Sequence, residues 1–353
     1  MCRRLKGVSF TGCTSLRDLS ALSLAPHLEE IDARLSGVRD VSQLGNCAAL
    51  VEAQFTGTSE LEDLSGLAGS PFLKKISACY SGVRTLGKLR NCPNLSIVYL
   101  THCAAISDLS PMAGAPALVA LYAESSSISS AAGLNLCSRL ETVSFNDCMQ
   151  LTDLSALAGA QSLRYVNIRY SGVESIAGLN LCPQLEEFSA EGCRNLTSLS
   201  ALAGSPSLRR ISAPNSGVRH LERLWFCSVL DELCLSFCDS LTDFSGVAGA
   251  PSLRALNANS TGADTLGALH RCPLLEILDV QWCERLKSLH SLKGAPNLRK
   301  LYARGSGVES IEALEYLPKL QEADFRGCRS LKRTEQTHFD LTVLHRHFRR
   351  RRK

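Results

Sequence analysis

No uninterrupted apolar run of about 18 residues occurs in this sequence, so an ordinary membrane-spanning helix is excluded. The opening stretch, MCRRLKGVSF, lacks the apolar core of a secretory signal. There is no H-E-x-x-H, no Walker loop and no paired C-x-x-C. Histidine is scarce, with eight in 353 residues, and only His345 and His347 lie close together. Two histidines alone do not make a metal site. Carboxylates such as Asp18, Glu62, Asp63, Asp108 and Asp153 recur near "DLS" at a fixed spacing. That spacing suits turn and cap residues rather than an acid/base pair. No catalytic residue, metal or cofactor is therefore expected.

What is present is repetition. Steps of 45 from Leu16 land on Leu61, Ile106, Leu151, Leu196, Leu241, Leu286 and Leu331, with no insertion or deletion. Each unit splits into two related halves of 22 and 23 residues, as in SLRYVNIRYSGVESIAGLNLCP and QLEEFSAEGCRNLTSLSALAGSP. Both halves fit L-x-x-L-x-L-x-x-(S/C), and 15 of them run from Leu5 to Leu320. In LRYVNIR, Val166 and Ile168 are expected to point inward, and Tyr165, Asn167 and Arg169 outward. One such coil cannot bury its apolar face alone, so neighbours must bury it jointly. The outer segments, SALAG and IAGL, are too short for a long helix and suggest 3-10 turns.

This pattern resembles leucine-rich repeats over about residues 2 to 333. The S-G-V half is similar to the coils of bacterial internalins and phosphatase-regulator proteins. The G-C-x-x-L half is similar to the cysteine-containing type found beside F-boxes, although no F-box is visible. The resemblance implies an α/β solenoid, a horseshoe with about 15 parallel strands on its concave face. The expected organisation is one solenoid over 1–333, with seven double repeats over 16–330, then a cap and basic tail over 334–353.

The 16 cysteines fall largely into two columns. One is Cys13, Cys103, Cys148, Cys193, Cys238, Cys283 and Cys328, with Thr58 in the missing place. Its counterpart in the alternate halves is Ser36, Ser81, Ser126, Ser171, Ser216, Thr261 and Ser306. These small polar residues are expected to satisfy backbone groups where the chain leaves the strand. The other column, Cys2, Cys47, Cys92, Cys137, Cys182, Cys227 and Cys272, reads as buried small hydrophobes. Members of one column recur every second coil, roughly 10 Å apart, beyond the reach of a disulfide. Free thiols and an intracellular, cytoplasmic or nuclear, location are therefore expected.

Outward positions vary where inward ones do not. They carry Glu30, Asp32, Arg34, Lys75, Tyr80, Tyr99, His102, Tyr122, Tyr165, Arg169, Tyr170, Phe237, Trp282, Tyr302, Arg304 and Arg326. Tyrosine, tryptophan and arginine are enriched at binding hot spots, so a protein partner on the concave face is expected. Tyrosine also suits a half-buried strand on its own account. The net charge is +4, and the tail residues Arg346, Arg349, Arg350, Arg351, Arg352 and Lys353 supply six positive charges, leaving 4 − 6 = −2 for the rest. That tail is either a solvated end or a docking element for an acidic surface, RNA or a ribonucleoprotein. Phe339, Leu341, Leu344 and Phe348 fit a short apolar helix face able to cover the last coil. The first strand, near Gly7–Thr11, has no comparable cap, so it is expected to be covered by a partner or by more chain.

Overall fold

The computed structural model describes residues 4–331. Cys2 and the expected C-terminal cap and tail lie outside the described residues. The chain divides into two compact units, one ending at Leu185 and the other beginning at Glu186. The first unit contains β1 (Gly7–Ser9), β2 (Glu30–Asp32), β3 (Glu52–Gln54), β4 (Lys75–Ser77), β5 (Ile97–Tyr99), β6 (Ala120–Tyr122), β7 (Thr142–Ser144) and β8 (Tyr165–Asn167). The second contains β9 (Glu187–Ser189), β10 (Arg210–Ser212), β11 (Glu232–Cys234), β12 (Ala255–Asn257), β13 (Ile277–Asp279), β14 (Lys300–Tyr302) and β15 (Glu322–Asp324).

Within each unit every strand pairs in parallel with its sequence neighbour. The register never slips: Ser77 faces Tyr99, Tyr99 faces Tyr122, Tyr122 faces Ser144 and Ser144 faces Asn167. Parallel neighbours need a crossover between them, and here the rest of each coil supplies it. The middle residue of each strand turns inward. Ile31, Ile76, Val98, Leu121, Val143, Val166 and Phe188 are buried, as are Phe55 and Phe145 just past the ends of β3 and β7. Leu73, Leu95, Leu118 and Leu140 close the core from the strand entrance. Burying one such side chain contributes about 1.5–3 kcal/mol, and each is buried only because the next coil covers it.

The return path is made of short 3-10 turns, for example Ser65–Leu67 and Ser155–Leu157. Asp63 Oδ1 accepts the Ser65 N–H at 2.7 Å, and Asp108 and Asp153 do the same for Ser110 and Ser155. The recurring aspartates are thus turn formers, satisfying backbone donors that the turn itself leaves free. The S-G-V glycines lie where two coils nearly touch: a Cβ on Gly82 would sit 2.3 Å from the Ser59 carbonyl oxygen.

No disulfide joins the fifteen described cysteines. The Ser/Cys column forms a hydrogen-bonded ladder. Ser81 Oγ donates to the Ala78 carbonyl at 2.6 Å, and Cys103 Sγ of the following coil donates to the same oxygen at 2.9 Å. The same pattern joins Ser126 and Cys148 to Ala123, and Ser216 and Cys238 to Ala213. The second cysteine column is buried as expected, but it is not merely apolar. Cys92 Sγ donates to the Leu67 carbonyl at 3.2 Å, and Cys182 to Leu157 at 3.2 Å. Burial is the largest influence on these thiols and pushes Cys92, Cys103, Cys148 and Cys182 above the usual thiol range. They remain protonated donors, as the ladder requires.

Candidate functional site

One position after each strand has a left-handed backbone. Its occupants in the first unit are Gly12, Leu35, Gly57, Tyr80, His102, Ser125, Asp147 and Tyr170. In the second they are Gly192, Asn215, Phe237, Ser260, Trp282, Gly305 and Gly327. A left-handed residue with a side chain costs roughly 1–2 kcal/mol, which is why glycine recurs here. Tyr80, His102, Tyr170, Phe237 and Trp282 therefore do not lie on strands, where strand alternation alone would put them. They project from the turn that follows the strand, and Tyr80 is 60% exposed, Phe237 55% and Trp282 48%.

The large occupants of this column lean over the next coil. Leu35 lies over Gly57, where a Cβ would meet its Cδ2 at 2.6 Å. Trp282 lies over Gly305 in the same way, with the Arg304 guanidinium 5.6 Å from its ring centre. Tyr80 stacks on His102 with ring centres 4.4 Å apart and planes 19° from parallel.

A second stack lies on the strands themselves. Tyr99 of β5 and Tyr122 of β6 face one another at 4.9 Å, 8° from parallel. That separation matches the strand spacing of about 4.8 Å, so the sheet register imposes the stack. Lys75 Nζ, on β4, lies 6.0 Å from the outer face of Tyr99 and is held by Glu52 at 2.7 Å. Thr101, between the two stacks in sequence, donates to the Glu124 carboxylate. Burial first, then the nearby Tyr99 and Glu124, raise the Tyr122 hydroxyl above the usual phenol range. It stays a neutral donor at any physiological pH.

The structure thus brings Tyr80, Tyr99, His102 and Tyr122 together on consecutive coils. Tyr165 and Tyr170 share the β8 coil, where Arg164 lies 5.5 Å from the Tyr165 ring and Arg169 6.0 Å from the Tyr170 ring. Phe237, Trp282 and Tyr302 belong to the second unit. Tyr302 is half-buried on β14, and burial, then Glu322, raises its hydroxyl above the usual range. Arg34 and Arg326 are each held by the aspartate two residues earlier. Sequence reasoning missed Leu35, whose membership of the left-handed column was readable from the period. It also missed Leu136, Leu181 and Phe226, exposed apolar residues on the 3-10 side that recur every 45 residues. Among the described residues no group of three or more His, Cys, Asp or Glu is placed to hold a metal ion. No helix among them is long and apolar enough to cross a membrane.

No family model matches the sequence, and no curated protein matches it. Solved structures do. An internalin (InlF) of Listeria monocytogenes is similar over 91% of this chain and 87% of its own, with 19% identity and a TM-score of 0.64. A leucine-rich-repeat protein of Leptospira interrogans is similar over 97% of this chain and 95% of its own, with 14% identity and a TM-score of 0.61. At such identities the likeness speaks for the fold alone. Short parallel strands, 3-10 return turns and these structural neighbours agree: the chain is a leucine-rich-repeat solenoid.

Proposed function

We propose that this protein is a non-catalytic scaffold that binds a protein partner on its strand face. The observation that carries the proposal is the pair of aromatic stacks, Tyr80–His102 and Tyr99–Tyr122, on consecutive coils of the first unit. Neither stack is needed to fill the core, because the inward residues Ile76, Val98 and Leu121 already do so. The left-handed position opposes a large side chain, yet Tyr80 and His102 occupy it on the coils of β4 and β5. Clustered rigid aromatics of this kind serve as central anchors of protein interfaces. The fold supports the same reading, since leucine-rich repeats typically present their strands to protein partners.

The test is partner capture by crosslinking and mass spectrometry, with Tyr99→Ala/Tyr122→Ala beside the parent. Truncating such anchors is expected to weaken association by at least about 2 kcal/mol, about 30-fold, with the melting temperature nearly unchanged. Full affinity in a folded double variant would rule out the strand face. The free thiols support a reducing compartment, and titration of the denatured, unreduced protein is expected to give 16 thiols. Substantially fewer would contradict that location.

A further inference from the structure

The last coils of the second unit depart from the pattern of the others. Leu314, Leu320 and Ala323 hold inward positions, yet all three are only half-buried. One period earlier, Leu269, Leu275 and Leu278 are fully buried, because another coil covers them. The 3-10 turn here, Glu312–Tyr316, also differs from the rest. Among the described residues it is the one such turn that contains acidic residues, Glu312 and Glu315. Both side chains are exposed, and neither forms an ion pair among the described residues. Glu309 of the same coil, by contrast, is held by Lys287 at 3.6 Å. Lys293 lies over the Tyr316 ring, 4.7 Å from its centre, and Lys319 donates to Asn297. An apolar strip therefore stands open with two unpaired carboxylates beside it.

Matching chemistry follows in the sequence just after Leu331. Repetition stops there: Thr334 and Thr337 stand where Leu289 and Leu292 stand one period earlier. Leu341, Leu344 and Phe348 then recur at i, i+3 and i+7, the spacing of one helix face. Arg346, Arg349, Arg350, Arg351 and Arg352 lie among and after them. The connecting residues 332–338 can span about 20 Å, several times the coil spacing of about 4.8 Å.

We infer that residues 339–353 dock on the last coils of their own chain. Leu341, Leu344 and Phe348 cover Leu314, Leu320 and Ala323, and the arginines face Glu312 and Glu315. A terminal coil of a solenoid needs a cover that is apolar beneath and polar outside. This one segment supplies both that cover and the opposite charge, and it starts within reach of the strip. The arginines then face the chain's own carboxylates, so an acidic partner must displace them before it binds there. The strand face of the first unit, proposed above to bind a protein, takes no part in this contact.

The test is amide hydrogen exchange on the full chain, read over residues 311–323 and, as a control for folding, over the middle coils. Leu344→Asp/Phe348→Asp is expected to speed exchange over 311–323 at least about tenfold and to leave the middle coils unchanged. Glu312→Arg/Glu315→Arg is expected to speed it about threefold. Reversing Arg349, Arg350, Arg351 and Arg352 to glutamate in that same variant is expected to restore the parent rate. Should the first variant not fold, the charge reversal and its rescue decide alone. Unchanged exchange in a folded Leu344→Asp/Phe348→Asp variant, or a charge reversal without effect or without rescue, overturns the inference. So does protection of 311–323 that is lost on dilution, since that would put the tail of a second copy on the strip.

Discussion

Two adjacent columns of this protein obey opposite rules. Three residues past the strand end, the left-handed column accepts glycine, leucine, tyrosine, histidine, serine, aspartate, asparagine, phenylalanine and tryptophan. The next residue along accepts only serine, threonine or cysteine. The difference lies in what each position must supply. The second must place a donor on a carbonyl inside the turn, as Ser81 and Cys103 do on Ala78. An unsatisfied buried acceptor is costly, so the chemistry there is restricted. The first must only adopt a backbone shape, and its side chain projects outward. Constraint on the backbone leaves the side chain free for recognition.

The contrast can be broken at several points. The largest effect is expected at an inward residue beside the aromatic row. Leu121→Ala opens a cavity next to Tyr122 and is expected to cost about 2–5 kcal/mol, read as a lowered chemical-denaturation midpoint. A loss under about 1 kcal/mol would mean that neighbouring coils collapse to fill the space.

Ser81→Ala in the restricted column comes next. It removes one of the two donors to Ala78, and Cys103 remains. The expected cost is about 1 kcal/mol by denaturant titration, because the carbonyl keeps a partner. Ser81→Ala/Cys103→Ala removes both and is expected to cost more than the sum of the single changes. Strict additivity would count against a shared acceptor.

The smallest effect is expected in the permissive column. Tyr80→Gly relieves a left-handed backbone costing roughly 1–2 kcal/mol and loses a stack worth about 0.5–1.5 kcal/mol. Thermal unfolding is expected to move by less than ~1 kcal/mol in either direction. Tyr80→Val keeps the strained backbone and loses the stack, so it is expected to be the less stable of the pair. If Tyr80→Gly proved as damaging as Leu121→Ala, this column would be structural after all.

The fold was legible because its physical causes recur at a fixed interval. The spacing of Leu16, Leu61 and Ile106 fixes the length of a pair of coils, and each coil of the pair has room for one short strand and a 3-10 return. Two-residue alternation in YVNIR placed Val166 and Ile168 in the core. The "DLS" aspartates announced their turns, and the small Ser/Cys column announced its hydrogen bonds.

The binding surface was only half legible. The period named Tyr80, Tyr99, His102 and Tyr122 as outward, but it could not sort them into two stacks. That sorting depends on where the strand ends, and three-residue strands end before Tyr80 and His102 are reached. Nor could the period show that Ser144, though outward, is buried among its neighbours, since serine occurs throughout the outward rows. A one-dimensional pattern decides what each coil buries, because burial follows from alternation and length. Which outward side chains meet is decided by the register between strands and by a left-handed turn that redirects the chain, and both exist only once the coils are stacked.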